Sequence, residues 1–414
     1  MKLKKTVLGV ARHVLAGEKG EAFTMRPSQR TEFPPASGTQ DFYAHIPYCR
    51  NRCAYCPYNT KPLDLEEVPD FYEALLAEAR LAAANGASVD GRSFYIGGGT
   101  PTCTGDGLTR FIRDFTLICG QPATIALETS AEELTAPLLE NLLQAGVTQL
   151  SVGVQSFAPH VLKTLGRTGH PETYAEKLEM AARAGFENLN VDLMYDADTE
   201  SIGDLASDIS QAIQTGADQL TIYPLFRFFR QEGVAMPRLR NRRKFFAFVW
   251  KRMELDGFSP VSVWSFRRGG RGESFSSVQR RTFVGLGPGA GTCREDLFAF
   301  NTFDTSAWMS RIKEGKCAYS LEMPLSPNLS ALYGLYWDLY AGHLPKKLDP
   351  DLKRRGLLAL LASTARLLGF CRGETLTERG MYWIHLLQNQ YMLDYIDRVW
   401  AASKKNPFPE EIKL

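Results

Sequence analysis

The chain has 414 residues, of which 44% are hydrophobic and 23% are charged, and its formal net charge is +2. This composition is typical of a globular protein and excludes a disordered or fibrous chain. Charge this close to neutral gives no case for a nucleic-acid-binding protein. No run of residues approaches the roughly 18 apolar positions of a membrane helix. We therefore expect a cytoplasmic protein with no nucleic-acid and no membrane partner.

Short apolar segments alternate with amphipathic ones from about residue 40 onward. The predicted strands lie at 41–46, 92–97, 124–129, 149–154, 188–195 and 219–223. The predicted helices between them include 71–84, 131–146, 172–185 and 202–216. Buried strands that alternate with helices indicate a parallel sheet. We predict an α/β fold, namely a partial (β/α)6 TIM-like barrel, with a doubly wound open sheet as the alternative.

The domain organisation follows from where this alternation starts and stops. We predict an N-terminal arm at 1–39, the barrel and its extension at 40–325, and a mostly helical C-terminal domain at 326–414. Two basic segments, 227–244 and 262–281, lie in the barrel extension.

Cysteines at 49, 53 and 56 form a C-x3-C-x2-C motif directly after the first predicted strand. Thiolates at this spacing select zinc, copper(I) or iron–sulfur clusters. Structural zinc takes four ligands, usually from two paired knuckles, and no second C-x-x-C or H-x3-H pair follows. Cys49, Cys53 and Cys56 therefore predict a [4Fe–4S] cluster with one iron open to a small molecule.

The segment HIPYCRNRCAYCPYNT resembles the cluster loop of the radical S-adenosylmethionine (SAM) superfamily, in the branch of anaerobic coproporphyrinogen dehydrogenase. The resemblance continues in order along about two thirds of the chain. The motifs that carry it are YIGGGTPT (95–102), ETSAEELT (128–135), LSVGVQSF (150–157), LGRTGH (165–170), NVDLMY (190–195), IYPL (222–225) and GLGPGAG (285–291). Most of them follow a predicted strand, so they meet at one mouth of a parallel barrel.

The resemblance implies how the site holds SAM. Cofactor contacts are expected from Tyr43, Gly97, Gly98, Gly99, Thr100, Glu128, Gln155, Arg167 and Asp192. The glycines would meet the amino group of SAM, the carboxylates its ammonium or ribose hydroxyls, and Arg167 its carboxylate. Tyr43 and Gln155 are the predicted catalytic residues. The implied reaction is reductive cleavage of SAM to methionine and a 5′-deoxyadenosyl radical.

The sequence leaves several reactions open. We predict a class C methyltransferase or cyclopropanase that uses a second SAM, held at the small residues Gly287, Gly289 and Ala290. Oxidative or ring-opening chemistry on a tetrapyrrole is one alternative, although Tyr58 stands where the dehydrogenases usually have a further cysteine. A haem chaperone is another alternative, although no histidine lies between His170 and His343.

The basic segments suggest partners. Segment 262–281 carries Trp264 and Phe266 among arginines, so it is predicted to line a pocket for an aromatic or anionic small-molecule substrate. The six arginines of 227–244 are predicted to dock an acidic electron donor of the flavodoxin or ferredoxin type.

Overall fold

The computed structural model describes residues 17, 23–36, 38–167, 169–226, 239–269, 273–276 and 281–413, but not the side chains of 239–241 and 390–395. The strands are β1 Thr24–Pro27, β2 Asp41–Ile46, β3 Tyr48–Cys49, β4 Lys61–Pro62, β5 Ser93–Gly98, β6 Thr124–Ser130, β7 Gln149–Gln155, β8 Asn188–Tyr195, β9 Gln219–Pro224, β10 Ser259–Pro260, β11 Ser265–Arg267, β12 Phe283–Leu286, β13 Gly291–Cys293, β14 Leu297–Asn301, β15 Tyr319–Pro324, β16 Cys371–Arg372, β17 Thr375–Leu376 and β18 Ile412–Lys413.

The α-helices are α1 Val68–Ala84, α2 Asp106–Cys119, α3 Ala136–Gln144, α4 Pro159–Thr164, α5 Tyr174–Ala184, α6 Ile202–Gln214, α7 Leu239–Leu255, α8 Thr305–Lys313, α9 Pro327–Tyr340, α10 Arg355–Leu367 and α11 Glu378–Lys405. Short 3-10 helices lie at Pro101–Thr104, Ala131–Glu133 and Pro171–Thr173.

Six parallel strands form the centre of the molecule in the order β2–β5–β6–β7–β8–β9. All six match the predicted strands to within one residue at each end, and the predicted barrel fold is confirmed. Strand order follows chain order in a single direction, so the alternative of a doubly wound sheet, which reverses direction at a switch point, is wrong. In β7 every residue but one is buried, because helices cover the outer face and side chains fill the inner one.

The sheet continues beyond both edges of this barrel without closing. Strand β12 pairs parallel to β2, and β13, β14 and β15 follow it in antiparallel order. Strand β1, which lies in the predicted N-terminal arm, joins β15 and β18. Strand β11 extends the other edge beside β9. The cysteine loop therefore follows a strand that is flanked on both sides.

The C-terminal part is mostly helical, and its longest helix is α11. Thr377 caps the start of α11 by accepting a hydrogen bond from the Gly380 amide, and the helix packs against α7 and α9. The predicted boundary near 325 falls between β15 and α9, and the three-part domain division stays a prediction. In the part of the chain that the structure describes, no helix is long and apolar enough to span a membrane.

Candidate functional site

A cavity of about 490 Å³ opens at the carboxyl ends of the barrel strands. Its volume lies in the range of small-molecule sites, roughly 300–1,000 Å³. The predicted site residues that line it are Cys49, Cys53, Cys56, Gly98, Gly99, Thr100, Glu128, Gln155, Arg167 and Asp192. Residues separated by more than 140 positions thus meet at one place, because parallel strands bring their carboxyl ends to one edge of the barrel.

The three cysteines of the motif differ from the other cysteines in exposure. Cys49, Cys53 and Cys56 are partly exposed in the cavity wall, whereas the remaining five are buried. Burial raises the pKa of Cys56 to about 12, so a bound metal has to supply the positive charge that deprotonates this thiol. Among the described residues, no three His, Cys, Asp or Glu side chains surround a single metal ion. A cluster that takes one thiolate per iron suits these cysteines better than a lone ion.

The glycine motif brings backbone against a buried carboxylate. The amide of Gly98 donates to Oε2 of Glu128 at 3.3 Å, and the hydroxyl of Tyr95 donates to Oε1 of Glu128. Gly98 has a φ of +116°, and an added Cβ would lie 2.8 Å from Cε1 of His45. Only glycine therefore fits this position. Burial raises the pKa of Glu128, so a cationic ligand group in the cavity would restore its charge.

Asp192 is the second carboxylate of the cavity. Its Oδ1 accepts from Nδ2 of Asn190 at 2.8 Å, and its Oδ2 accepts from the hydroxyl of Ser151 at 3.2 Å. Burial first, and the charge of Glu128 second, raise the pKa of Asp192 to about 7. Two neighbouring carboxylates whose pKa values are both raised are suited to bind an ammonium group or ribose hydroxyls.

Gln155 ends β7 with a φ of +73°, a conformation that costs a side-chain residue about 1–2 kcal/mol. The register of the β7–β8 pair shifts between Gly153 and Gln155. The hydroxyl of Tyr223 donates to Oε1 of Gln155 at 2.8 Å. This bulge directs Gln155 and Tyr223, from different strands, to the same wall of the cavity.

Arg167 is almost fully buried beside the cysteine loop. Its Nη2 lies 3.0 Å from Oε2 of Glu132 and donates to the carbonyl of Gly153 at 3.2 Å. Its Nε is buried and has no hydrogen-bond partner among the described residues. A ligand carboxylate would satisfy this donor. Glu132 was missed by the sequence reasoning, although it lies inside the ETSAEELT motif.

Two predicted contacts lie behind the cavity wall. Tyr43 and Gly97 do not line the cavity. The hydroxyl of Tyr43 lies 2.6 Å from Nδ1 of His45, and Nε2 of His45 lies 2.8 Å from the carbonyl of Asn59. A carbonyl only accepts, so Nε2 carries the proton and Nδ1 accepts from Tyr43. This bond uses the hydrogen of the Tyr43 hydroxyl, and the catalytic role of Tyr43 stays a prediction.

The glycine-rich turn after β12 also lies outside the cavity, contrary to its predicted contact with a second SAM. The amide of Gly287 donates to Oε2 of Glu78 at 2.6 Å, and Ala290 is fully buried. An added Cβ at Gly289, where φ is +80°, would lie 3.2 Å from Nδ2 of Asn59. The glycines are required because protein atoms pack around the turn.

Glu78 on α1 holds this turn in place. Besides Gly287, it accepts from Nδ2 of Asn301 at 2.8 Å and from Nε1 of Trp308 at 3.0 Å. Burial raises the pKa of Glu78 to about 7. The turn thus belongs to the packing of the barrel, not to the wall of the cavity.

The arginines predicted to dock an electron donor are only partly described. Arg227, Arg230 and Arg238 lie outside the described residues, as does the side chain of Arg240. The last two of the six form ion pairs with other residues of the same chain. Arg242 is buried and pairs with Asp196 at 3.1 Å, and Arg243 pairs with Glu378.

Aromatic side chains form the outer wall of the cavity. Trp264 and Phe275 come from the barrel extension, Trp337 and Tyr340 from α9, and Trp400 from α11. Trp264 lies in segment 262–281, as predicted for a substrate pocket. Phe275 lies in the same segment. Trp337, Tyr340 and Trp400 were missed, because nothing in a helix sequence tells which aromatic side chains face a cavity.

These features coincide with a known family. The radical SAM superfamily pattern matches residues 43–211. The "Heme chaperone HemW" of Mycobacterium tuberculosis is 32% identical over 290 residues, which cover 65% of this chain and 73% of that protein. The oxygen-independent coproporphyrinogen III oxidase of Paracoccus denitrificans is 25% identical over 308 residues, which cover 68% of each chain.

A solved structure shows the same fold. The coproporphyrinogen III oxidase HemN of Escherichia coli superposes with a TM-score of 0.70 at 20% identity, over 89% of this chain and 91% of that chain. The chain therefore belongs to the radical SAM superfamily, in the branch of these oxidases and chaperones, and is a radical SAM enzyme. Its cofactors are a [4Fe–4S] cluster and SAM, and the three cysteines, the buried carboxylates and Arg167 fit them.

Proposed function

We propose that this enzyme carries out radical chemistry on a tetrapyrrole. The observation that carries the proposal is the cavity itself. Polar SAM-type residues and three cysteines line the part of the cavity that we call its inner end. Phe275 packs on Tyr95 beside these residues. The part that we call the outer end is lined by the aromatic side chains Trp264, Trp337, Tyr340 and Trp400. Aromatic rings stack on flat aromatic ligands, and the two relatives described above are named for coproporphyrinogen and haem.

Charge at the cavity wall agrees with such a substrate. Arg50 and Arg52 line the cavity on the cysteine loop. Arg50 is more than half exposed and pairs with Glu133 at 2.7 Å. Guanidinium groups in this position are suited to bind the carboxylates at the rim of a tetrapyrrole.

The chain's own residues would position the reactants. Cys49, Cys53 and Cys56 would hold the cluster, and Arg167 and Asp192 would hold SAM at its carboxylate and its ammonium or ribose. When bound, the two cofactors supply a carbon radical by one-electron cleavage of SAM. The aromatic wall would exclude water and fix the macrocycle beside that radical.

Methyl or methylene transfer with a second SAM remains a candidate reaction within this proposal. Tyr58, which lines the cavity in place of the further cysteine of the dehydrogenases, speaks against oxidative decarboxylation. The relatives are named as oxidases and chaperones, so they favour tetrapyrrole chemistry over a general methyltransferase. Any second SAM would have to bind in the cavity, because the turn at Gly287–Ala290 is packed by protein.

Anaerobic turnover with SAM that carries a labelled methyl group tests the proposal, with haemin and coproporphyrinogen III as substrates. Tetrapyrrole-dependent SAM cleavage and a changed tetrapyrrole mass are the expected results. Label in the product would identify methyl transfer, and loss of carbon dioxide would identify decarboxylation. Haem binding without SAM cleavage would instead identify a chaperone. Absence of tetrapyrrole binding would overturn the proposal, with the Cys53→Ala variant as the control for cluster-dependent turnover.

A further inference from the structure

Trp264 is an aromatic side chain of the cavity wall that is held by ring contacts on more than one side. It lines the cavity and is 8% exposed. The ring of Phe226 meets it in a T-shaped contact at 5.1 Å, and the ring of Tyr340 does so at 5.7 Å. Phe226 in turn stacks on Tyr223, which bonds Gln155 at the SAM end. A row of aromatic rings thus connects the two ends of the cavity.

The indole nitrogen of Trp264 is bonded to the C-terminal helix. Its Nε1–H donates to Nδ1 of His385 on α11 at 3.1 Å. His385 is fully buried, and burial, together with the charge of Arg242, lowers its pKa to about 3. The imidazole is therefore neutral, with its proton on Nε2 and its Nδ1 free to accept. This bond defines one orientation of the indole plane.

Two further residues continue this connection to the barrel. Nδ2 of Asn389 lies 3.2 Å from Nδ1 of His385 and donates to the His385 carbonyl at 2.8 Å. Nη1 of Arg242 donates to Oδ1 of Asn389 at 3.1 Å, and Nε of Arg242 donates to Oδ2 of Asp196 at 3.1 Å. Nη2 of Arg242 donates to the carbonyl of Leu225 at 3.0 Å.

The barrel end of this connection is Asp196. It directly follows β8 and keeps a φ of +72°. Asp196 and Arg242 are both buried, with side chains 8% and 5% exposed. A buried ion pair contributes little net stability, but it penalises alternative arrangements strongly, because a lone buried charge is costly.

We propose that Trp264 is the side chain on which the flat substrate stacks, and that the chain of bonds His385–Asn389–Arg242–Asp196 is a positioning network that fixes its orientation. The proposal rests on the proposed tetrapyrrole function. It assigns Trp264 the role of a specificity-determining residue and His385 that of a positioning residue. Neither residue contacts the cluster or the SAM end.

The test measures haemin affinity by Soret titration on the anaerobically reconstituted, full-length enzyme. Cluster absorbance shows that each variant is folded. Calorimetry measures SAM affinity and so shows whether the inner end of the cavity is intact. Trp264→Leu removes the ring, and Trp264→Phe keeps a ring without the donor. His385→Leu removes the acceptor, and His385→Gln retains one. Trp250→Phe is the control, because Trp250 lies in the same aromatic cluster, does not line the cavity, and its Nε1 has no partner in the described structure.

Loss of stacking predicts haemin binding about ten-fold weaker in Trp264→Leu, with Trp264→Phe intermediate. We expect His385→Leu to resemble Trp264→Leu, and both His385→Gln and Trp250→Phe to stay within about two-fold of wild type. SAM affinity should not change in any of them.

Two results would overturn the inference. The proposal fails if wild type binds haemin and the Trp264 variants bind it as tightly as the Trp250→Phe control. The positioning role of His385 fails if His385→Leu and His385→Gln behave alike. A wild-type enzyme that binds neither haemin nor coproporphyrin III would overturn the proposed function itself, and this inference with it.

Discussion

The two ends of the cavity are built on different principles. The inner end consists of strand ends and a cysteine loop, with polar side chains whose distances are fixed by the barrel. The outer end consists of aromatic side chains from α9, α11 and the barrel extension. The inner end carries the residues that fit the cluster and SAM, whereas the outer end is the part that we propose to contact the substrate. The comparison indicates that cofactor chemistry is encoded in short motifs and substrate choice in tertiary packing.

The largest expected effect is at the inner end. Cys53→Ala should abolish cluster absorbance and SAM cleavage, because Cys49, Cys53 and Cys56 are the only thiols that the described structure places in the cavity wall. Cys103→Ala is the matched control, since the Cys103 thiol is buried and donates to the Tyr48 carbonyl at 3.6 Å. Iron and sulfide analysis after anaerobic reconstitution checks both. Loss of the cluster in Cys103→Ala would show that the ligand set is wrong.

A large but incomplete effect is expected at Asp192. Asp192→Ala should weaken SAM binding about five- to a hundred-fold, the cost of removing one buried hydrogen-bonded partner, and leave the cluster intact. Asp208→Asn is the control, because Asp208 is also a buried carboxylate and bonds Ser156 and Phe157 away from the cavity. Calorimetry with SAM measures the difference. Equal SAM affinity in Asp192→Ala and wild type would remove Asp192 from the cofactor site.

Glu78 provides a test of whether the glycine-rich turn belongs to either end. Its pKa is raised to about 7 in the folded chain, so the unfolded chain releases the proton at lower pH. Wild-type stability should therefore fall relative to Glu78→Gln as pH rises from about 4.5 to 7, by on the order of 3 kcal/mol, and level off above pH 8.

Unfolding midpoints of wild type and Glu78→Gln between pH 5 and 8.5 measure this difference. SAM stoichiometry should be the same in both proteins. A selective loss of bound SAM in Glu78→Gln would show that the turn takes part in ligand binding. The two ends of the cavity would then not be structurally separate.

The smallest effect is expected at the outer end. Trp400→Leu should weaken haemin binding about two- to five-fold, since several rings share the contact, and leave SAM binding unchanged. Trp383→Leu is the control, because Trp383 lies on the same helix α11 and is 58% exposed. Soret titration measures both variants. A change in SAM affinity in Trp400→Leu would mean that the two ends are not separable.

The sequence predicted the inner end well for a physical reason. The site needs a thiolate at Cys53, a carboxylate at Asp192 and a residue without a side chain at Gly98, and no other residue type supplies these groups. The motifs can therefore be recognised from the sequence before the fold is known. The outer end has no such requirement: Trp337 and Trp400 reach the cavity only through the packing of α9 and α11. The role of the turn at Gly287 did not follow from the sequence, because close packing against protein and close approach to a ligand both demand glycine. The structure places the turn outside the cavity wall, and its contact with a second SAM stays a prediction.

The roles of some charged residues also depend on contacts in the interior that the sequence did not predict. Arg242 lies in a basic run, which is usually solvated, yet it is buried against Asp196 and Asn389. Its partner on α11 lies 147 positions away, so no local pattern could show the pair.

The pairing of β2 with β12 has a consequence for how the protein is made. Strand β2, which leads into the cysteine loop, is completed on one side by Phe283–Leu286, which the ribosome adds more than two hundred residues later. At a translation rate of about 5–20 residues per second, roughly 10–50 s pass between synthesis of the cysteines and synthesis of the second strand that flanks β2. We therefore expect the cysteine loop to bind its cluster stably only after residue 286 has been added. Oxygen or stray metal ions have that interval in which to react with the unprotected thiols.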